Sequence, residues 1–159
     1  MGSGSGGANI KGAVASNHWR FYQSVEPSTM SALDGRVDAG ALPLAVGDLL
    51  AILGVLTIGM VQHNTLTPGR AAGVYAPFVV GWAAAALLIG AYSAGAAESA
   101  KAAIPLGIRA WVLAALVGFG LRWTPAFPGG LAVAFVLITL LLTGVLLGGF
   151  RWLFFKLVG

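Results

Sequence analysis

Four long apolar segments follow one another along the chain, separated by short stretches that contain proline, glycine or charged residues. They cover about residues 43–62, 74–94, 104–121 and 131–152. Each holds about 18 residues or more, which is enough to cross a hydrocarbon core of about 30 Å at about 1.5 Å per residue. Backbone groups in lipid must bond within their own segment, so each segment is predicted to be an α-helix. The pattern predicts an all-α integral membrane protein, a four-helix transmembrane bundle with up-down-up-down order.

The residues before the first apolar segment have a different character. Residues 1–40 are polar, rich in Gly, Ser and Ala, and have no sustained apolar period. We interpret them as a mostly disordered cytoplasmic tail in front of a transmembrane domain of residues 41–159. Met30 begins a conventional start, Met-Ser-Ala-Leu-Asp, so residues 1–29 are interpreted as an upstream extension, either from a misplaced start codon or added to the native sequence. Native peptides from before Met30 would refute that interpretation.

The amino-acid composition also indicates that the chain is embedded in a lipid bilayer. Of its 159 residues 58% are hydrophobic and 9% are charged, whereas a soluble domain carries about 25% charged residues. The net charge of +4 comes from dispersed basic residues that form no patch, so a nucleic-acid partner is not expected. There is no cysteine, and two histidines are too few for a metal site. We expect no catalytic, cofactor or metal site, and the lipid bilayer is the expected partner.

The distribution of Lys and Arg predicts the orientation. With the amino end inside, seven basic residues lie on the cytoplasmic side: Lys11, Arg20, Arg36, Lys101, Arg109, Arg151 and Lys156. The external side holds two, Arg70 and Arg122. Because cytoplasmic loops carry the excess of positive charge, both termini are expected in the cytoplasm of a plasma-membrane protein.

Asp48 is the acidic residue inside a predicted spanning segment. Ten Leu, Ile and Val residues between Leu44 and Val61 favour insertion by about 3 to 6 kcal/mol, against a cost of at most about 3 for the aspartate. Arg109 and Arg151 are predicted at a similar depth near the cytoplasmic face. We expect Asp48 to form an ion pair with one of them, or each group to reach water by itself. A proton- or ion-linked site is the functional alternative.

A second polar group is predicted at the opposite end of the bundle. His63 ends the first apolar segment and Arg122 ends the third, so both are expected on the external side. His63 is a candidate pH sensor or, more simply, a solvated helix end. With Asn64 the two residues form the best candidate set for an enzyme, although no acid accompanies them.

Small residues repeat at four-residue spacing on the predicted helices. The pairs are Gly81 and Ala85, Ala86 and Gly90, Ala114 and Gly118, and Gly144 and Gly148. Such faces let helix backbones approach closely in lipid. We expect them to pack the bundle itself, and the alternative is a homo-oligomer formed through these faces.

Short motifs in a fixed order resemble those of one family of small prokaryotic membrane proteins. The motifs are Gly47-Asp48-Leu49-Leu50, Gly59 with His63, Pro77-Phe78, Gly81-Trp82, Trp111, Gly118 with Arg122, Phe135, and Arg151-Trp152. On these residues the chain resembles the uncharacterised domain of unknown function 3054 (DUF3054), over about residues 44–153. A departure lies beside the histidine, where family members often carry Arg and Ser and this chain has Met60-Val61-Gln62-His63-Asn64. The resemblance implies a compact membrane protein of this size and supplies no activity.

The expected function is therefore broad. We expect a non-enzymatic multi-pass membrane protein, either a small transporter or an accessory or structural subunit. A transport path would draw on the polar residues of the predicted helices, Asp48, Thr57, Tyr92 and Ser93. The alternative is a membrane enzyme that acts on a lipid or quinone at the external interface, with His63 and Arg122 in its site.

Overall fold

The computed structural model describes Met1 and residues 35–127 and 130–158. Their regular secondary structure is helical, beginning with one 3-10 turn at Ala39–Ala41. Five α-helices follow: α1 (Leu42–Gln62), α2 (Pro68–Ile89), α3 (Ala94–Ala97), α4 (Ala100–Arg122) and α5 (Val133–Val158). All except the four-residue α3 are long and apolar enough to cross a membrane. The prediction of an all-α protein with four membrane-length helices is confirmed.

The four long helices form a ring in which each packs against two others. α1 contacts α2 and α5, and α4 contacts α2 and α5. Neighbouring helices run antiparallel, as four residue pairs show: Thr57 with Tyr75, Gly81 with Ala114, Gly148 with Ile108, and Gly47 with Phe150. The first and last helices of the chain therefore close the ring. We call the end where α1 begins the Asp48 end, and the opposite end the Arg122 end.

The second long helix differs most from its predicted bounds. It was predicted over about 74–94 and spans Pro68–Ile89. Thr67 caps it, because its side chain accepts a hydrogen bond from the Arg70 amide, and Pro68 occupies the first turn, where a missing N–H costs little. Gly90 stops it in the left-handed conformation, at φ 73°. Thr67-Pro68-Gly69, which lies between the first two predicted segments, is thus a helix start. Pro128 and Gly129, between the third and fourth predicted segments, lie outside the described residues.

The segment just before α1 packs against the chain that follows α2. Arg36 donates hydrogen bonds to the Leu87 and Leu88 carbonyls, at 3.0 and 3.2 Å, and so caps the end of α2. The Asp38 amide donates to the Tyr92 carbonyl at 2.8 Å. Most of the predicted 1–40 tail lies outside the described residues, as does the suspected extension, but its last residues belong to the packed bundle.

Small residues let α2 and α4 approach closely. A Cβ on Gly81 would lie 2.6 Å from the Ala114 carbonyl oxygen, and one on Gly118 would lie 2.7 Å from the Phe78 ring. Phe78 also meets the ring of Phe119 edge to face. This face of α2 and α4 is therefore occupied by packing within the chain, as the spacing predicted.

Candidate functional site

Asp48 lies in the interior of the bundle at the end named for it. It shares one face of α1 with Leu44 and Ile52, four residues to either side, and all three are buried. The side chain of Asp48 has no exposed area. A carboxylate taken out of water in this way must find hydrogen-bond donors within the protein.

Arg151 of α5 supplies most of those donors. Its Nη2 lies 2.5 Å from Asp48 Oδ2 and its Nε lies 3.2 Å from Oδ1, a two-point contact between the guanidinium and the carboxylate. Its Nη1 donates to the Ala103 carbonyl in the first turn of α4, at 2.7 Å. Arg151 also has no exposed area. One side chain thus ties α5 to both α1 and α4.

Tyr92 and Trp82 complete the network around the aspartate. The Tyr92 hydroxyl donates to Asp48 Oδ2 at 2.9 Å, and Trp82 Nε1 donates to the same hydroxyl oxygen at 3.0 Å. The left-handed turn at Gly90 takes the chain out of α2, and the Asp38 amide holds the Tyr92 carbonyl. Tyr92 lies beyond the end of α2, and burial together with the Asp48 charge raises the pKa of its hydroxyl.

Two glycines make room for α5 at this site. A Cβ on Gly107 would lie 2.6 Å from Arg151 Nε and 2.7 Å from its Cζ. A Cβ on Gly47 would collide with the Phe150 ring. A residue with a side chain at position 107 would occupy the space of the guanidinium, so the ion pair depends on glycine there.

The arrangement is a closed hydrogen-bonded network. Both carboxylate oxygens of Asp48 accept hydrogen bonds, and each nitrogen of the Arg151 guanidinium donates one. Removing one partner of such a pair leaves an uncompensated buried charge, which costs about 3–5 kcal/mol. The Asp48–Arg151 contact therefore joins the first and last long helices.

The other predicted partner of Asp48 takes no part in the network. Arg109 is exposed, on the face of α4 that lies away from the core. The inward face of that helix is set by Ala103, Gly107 and Ala110, which are buried. Arg109 is two residues past Gly107, about 200° around the helix, so it points away from the ion pair. Arg109 and Arg151 were predicted at the same depth in the membrane. They differ in the helix face they occupy, and only Arg151 faces Asp48.

Trp82 and Tyr92 were not predicted as partners of Asp48. Tyr92 was predicted only as a buried polar residue of a transport path, within the second helix. The signal that could have placed it is Gly90, two residues earlier, because a glycine after an apolar helix favours a left-handed turn that ends the helix. Trp82 carries an N–H that needs an acceptor when the ring is buried.

The predicted external pair is not brought into contact. His63 is the exposed residue that follows α1, and its amide donates to the Gly59 carbonyl. Arg122, at the end of α4, is buried, with its guanidinium 5.2 Å from the centre of the Phe135 ring. Within the described residues, no hydrogen bond joins His63 to Arg122. The two side chains share the Arg122 end and have different surroundings.

The family comparison covers the network that these contacts define. A family model described as a protein of unknown function (DUF3054) matches residues 45–154. The chain belongs to the DUF3054 family. The match includes Asp48, Trp82, Tyr92 and Arg151, so the whole ion-pair network lies in the DUF3054 part of the chain. No curated protein and no solved structure matches the chain.

Proposed function

We propose that this DUF3054 chain is a non-enzymatic, multi-pass membrane protein that serves as an accessory or structural subunit. The observation that carries the proposal is the saturated Asp48–Arg151 pair. Neither side chain has exposed area, and both oxygens of the carboxylate are occupied by protein donors. A group that exchanges protons or ions with water during transport needs access to water, and this one has none.

The distribution of exposed charge supports the proposed orientation, with both termini in the cytoplasm of the plasma membrane. Arg151 and Arg122 are buried and do not act as loop charges. Counting exposed cations among the described residues leaves four at the Asp48 end, namely Arg36, Lys101, Arg109 and Lys156. One, Arg70, is exposed at the Arg122 end. The excess at the Asp48 end favours that end as the cytoplasmic one.

Assembly with a partner would use surfaces other than the small-residue faces. A Cβ on Gly144 would lie in ordinary contact with the Trp111 ring, and one on Gly148 with Ile108, so these positions face other helices of the bundle. Large apolar side chains of α5 instead point outward, including Leu141 and Val145. A homo-oligomer or a complex with another membrane protein would therefore form on this outward face of α5, where lipid is the alternative neighbour.

A small transporter is the second candidate, favoured by a polar row on α5. Thr139 and Thr143 are buried at four-residue spacing on the face that carries Arg151. Among the described residues, Thr143 Oγ1 has no hydrogen-bond partner. The two threonines lie between the ion pair and the Arg122 end, separated from Arg151 by the buried Leu147, and would line part of a path if the network opened.

The membrane-enzyme alternative has the least support. Acid–base chemistry at His63 and Arg122 would need a convergent carboxylate. The carboxylates of the described residues are Asp38, Asp48 and Glu98, and all three belong to the Asp48 end.

Ion flux in proteoliposomes separates the first two candidates. Purified protein is reconstituted into vesicles with a trapped pH-sensitive dye, and a pH gradient is imposed across the membrane. If the protein is a structural subunit, the pH gradient should decay at the same rate as in protein-free vesicles, for both wild type and Asp48→Asn. A dissipation that wild type produces and Asp48→Asn abolishes would establish the transporter and overturn the proposal. Glu98→Gln, which removes an exposed carboxylate, is the matched control.

A further inference from the structure

Arg122 is a buried cation with no counter-charge beside it among the described residues. The residue is 7% exposed. Its Nε and Nη1 are buried and have no hydrogen-bond partner among the described residues. The Phe135 ring, 5.2 Å from Arg122 Cζ, offers a weak cation–π contact in place of hydrogen bonds. Buried guanidinium donors ordinarily have acceptors, so an acceptor is required at this position.

Within residues 35–127 and 130–158, no carboxylate is positioned to supply that acceptor. The chain has five acidic residues. Asp38, Asp48 and Glu98 are at the opposite end of the bundle, and Glu26 and Asp34 come before α1 in the sequence. The exposed charge at the same end of the bundle has the same sign, because Arg70 lies in the first turn of α2.

We propose that Arg122 is the centre of a binding site for a phosphate group at the Arg122 end of the bundle. A guanidinium carries a positive charge and N–H donors that phosphate oxygens accept, and Nε and Nη1 of Arg122 have no acceptor among the described residues. Arg70 is exposed at the same end of the bundle and adds positive charge there. Trp123 and Thr124, which follow Arg122 directly, are exposed, so the site lies at the surface of the bundle. The phosphate belongs either to a lipid headgroup or to a soluble anion.

Thermal unfolding of the full chain in a phosphate-free maltoside detergent tests the proposal. Three additions are compared: phosphatidylglycerol, diacylglycerol, which lacks the phosphate, and inorganic phosphate against chloride at matched ionic strength. Phosphatidylglycerol raising Tm where diacylglycerol does not would support the site and identify a lipid phosphate. Inorganic phosphate raising Tm over chloride would support it and identify a soluble anion. No phosphate-specific rise in Tm would overturn the proposal.

Substitutions locate the effect at Arg122. Arg122→Gln should weaken the apparent affinity for the stabilising phosphate compound about 10- to 100-fold, since charge-assisted hydrogen bonds are lost. Arg109→Gln, which removes an exposed arginine at the other end of the same helix, should leave the affinity unchanged. An equal response in Arg122→Gln and wild type would place the phosphate elsewhere and overturn the proposal.

A conservative variant covers the case in which Arg122→Gln does not fold. Arg122→Lys keeps the charge and loses the planar guanidinium with its several N–H donors, so its affinity for the same phosphate compound should fall about tenfold. Size-exclusion chromatography establishes that each variant is folded before titration. An affinity equal to that of wild type in Arg122→Lys would contradict a guanidinium-specific site.

Discussion

Replacing Asp48 with asparagine isolates the energy of the buried ion pair. Asparagine has nearly the shape of aspartate, so the change removes a charge and leaves little cavity. The guanidinium of Arg151, which has no exposed area, then loses its counterion, and an amide NH₂ placed at the Oδ2 position would face Arg151 Nη2 across 2.5 Å. An uncompensated buried charge of this kind costs about 3–5 kcal/mol, and we expect the free energy of unfolding to fall by that amount.

A double-mutant cycle measures the interaction itself. Arg151→Met removes the other charge and should also destabilise the protein strongly. The double variant Asp48→Asn/Arg151→Met buries no charge, so it should be more stable than the sum of the single changes predicts, by about 2 kcal/mol or more. Denaturant titration in detergent micelles, followed by tryptophan fluorescence, gives the free energies. Trp82, one of five tryptophans in the chain, lies in the network and contributes to the signal.

Matched controls decide whether the loss reflects the pair or merely a change of charge. Glu98→Gln and Arg109→Met remove one exposed acid and one exposed base, and each should alter stability by no more than about 0.5 kcal/mol. The reasoning would be refuted if Asp48→Asn cost no more than these controls, or if the two single effects simply added in the double variant.

Three further predictions follow from the same geometry. Gly107→Ala should lower the free energy of unfolding by about 1–3 kcal/mol, because the added Cβ would collide with the Arg151 guanidinium. Gly120→Ala, whose Cβ would have nothing within 4 Å, should raise it slightly. Denaturant titration checks both. Burial raises the pKa of Tyr92, so the free energy of unfolding should keep its full value below the unfolded pKa of about 10 and fall as the pH rises above it. Unfolding measured across that pH range should show a smaller fall in Tyr92→Phe. Since the chain has no cysteine, Ser99→Cys and Thr124→Cys each create a unique thiol, and an impermeant reagent on intact cells should label only the second; the reverse pattern would invert the orientation.

The helices and the aspartate could be predicted from the sequence because both depend on local properties. Hydrophobic length determines where a helix crosses lipid, and a lone Asp in such a helix requires a partner. The start of α2 was missed because Thr67-Pro68-Gly69 contains turn-forming residues, and the same threonine and proline serve equally well as a helix cap and first turn.

The arginine that pairs with Asp48 could not be predicted from depth in the membrane alone. Arg109 and Arg151 are both near the same end, and the decision depends on which helix face meets the core. Gly107 marks that face by leaving space for a guanidinium, and a small-residue pattern by itself does not say what fills the space. Tyr92 enters through the chain reversal after Gly90, a tertiary feature that hydropathy does not encode.

The aspartate and its arginine are separated by 103 positions in the chain. Translation proceeds from α1 to α5, so the Asp48 carboxylate has no arginine partner until α5 has been synthesised. The contacts of Arg151 with α1 and α4 can form only after α5 enters the bundle. The last long helix therefore neutralises a charge that the first one brings into the membrane.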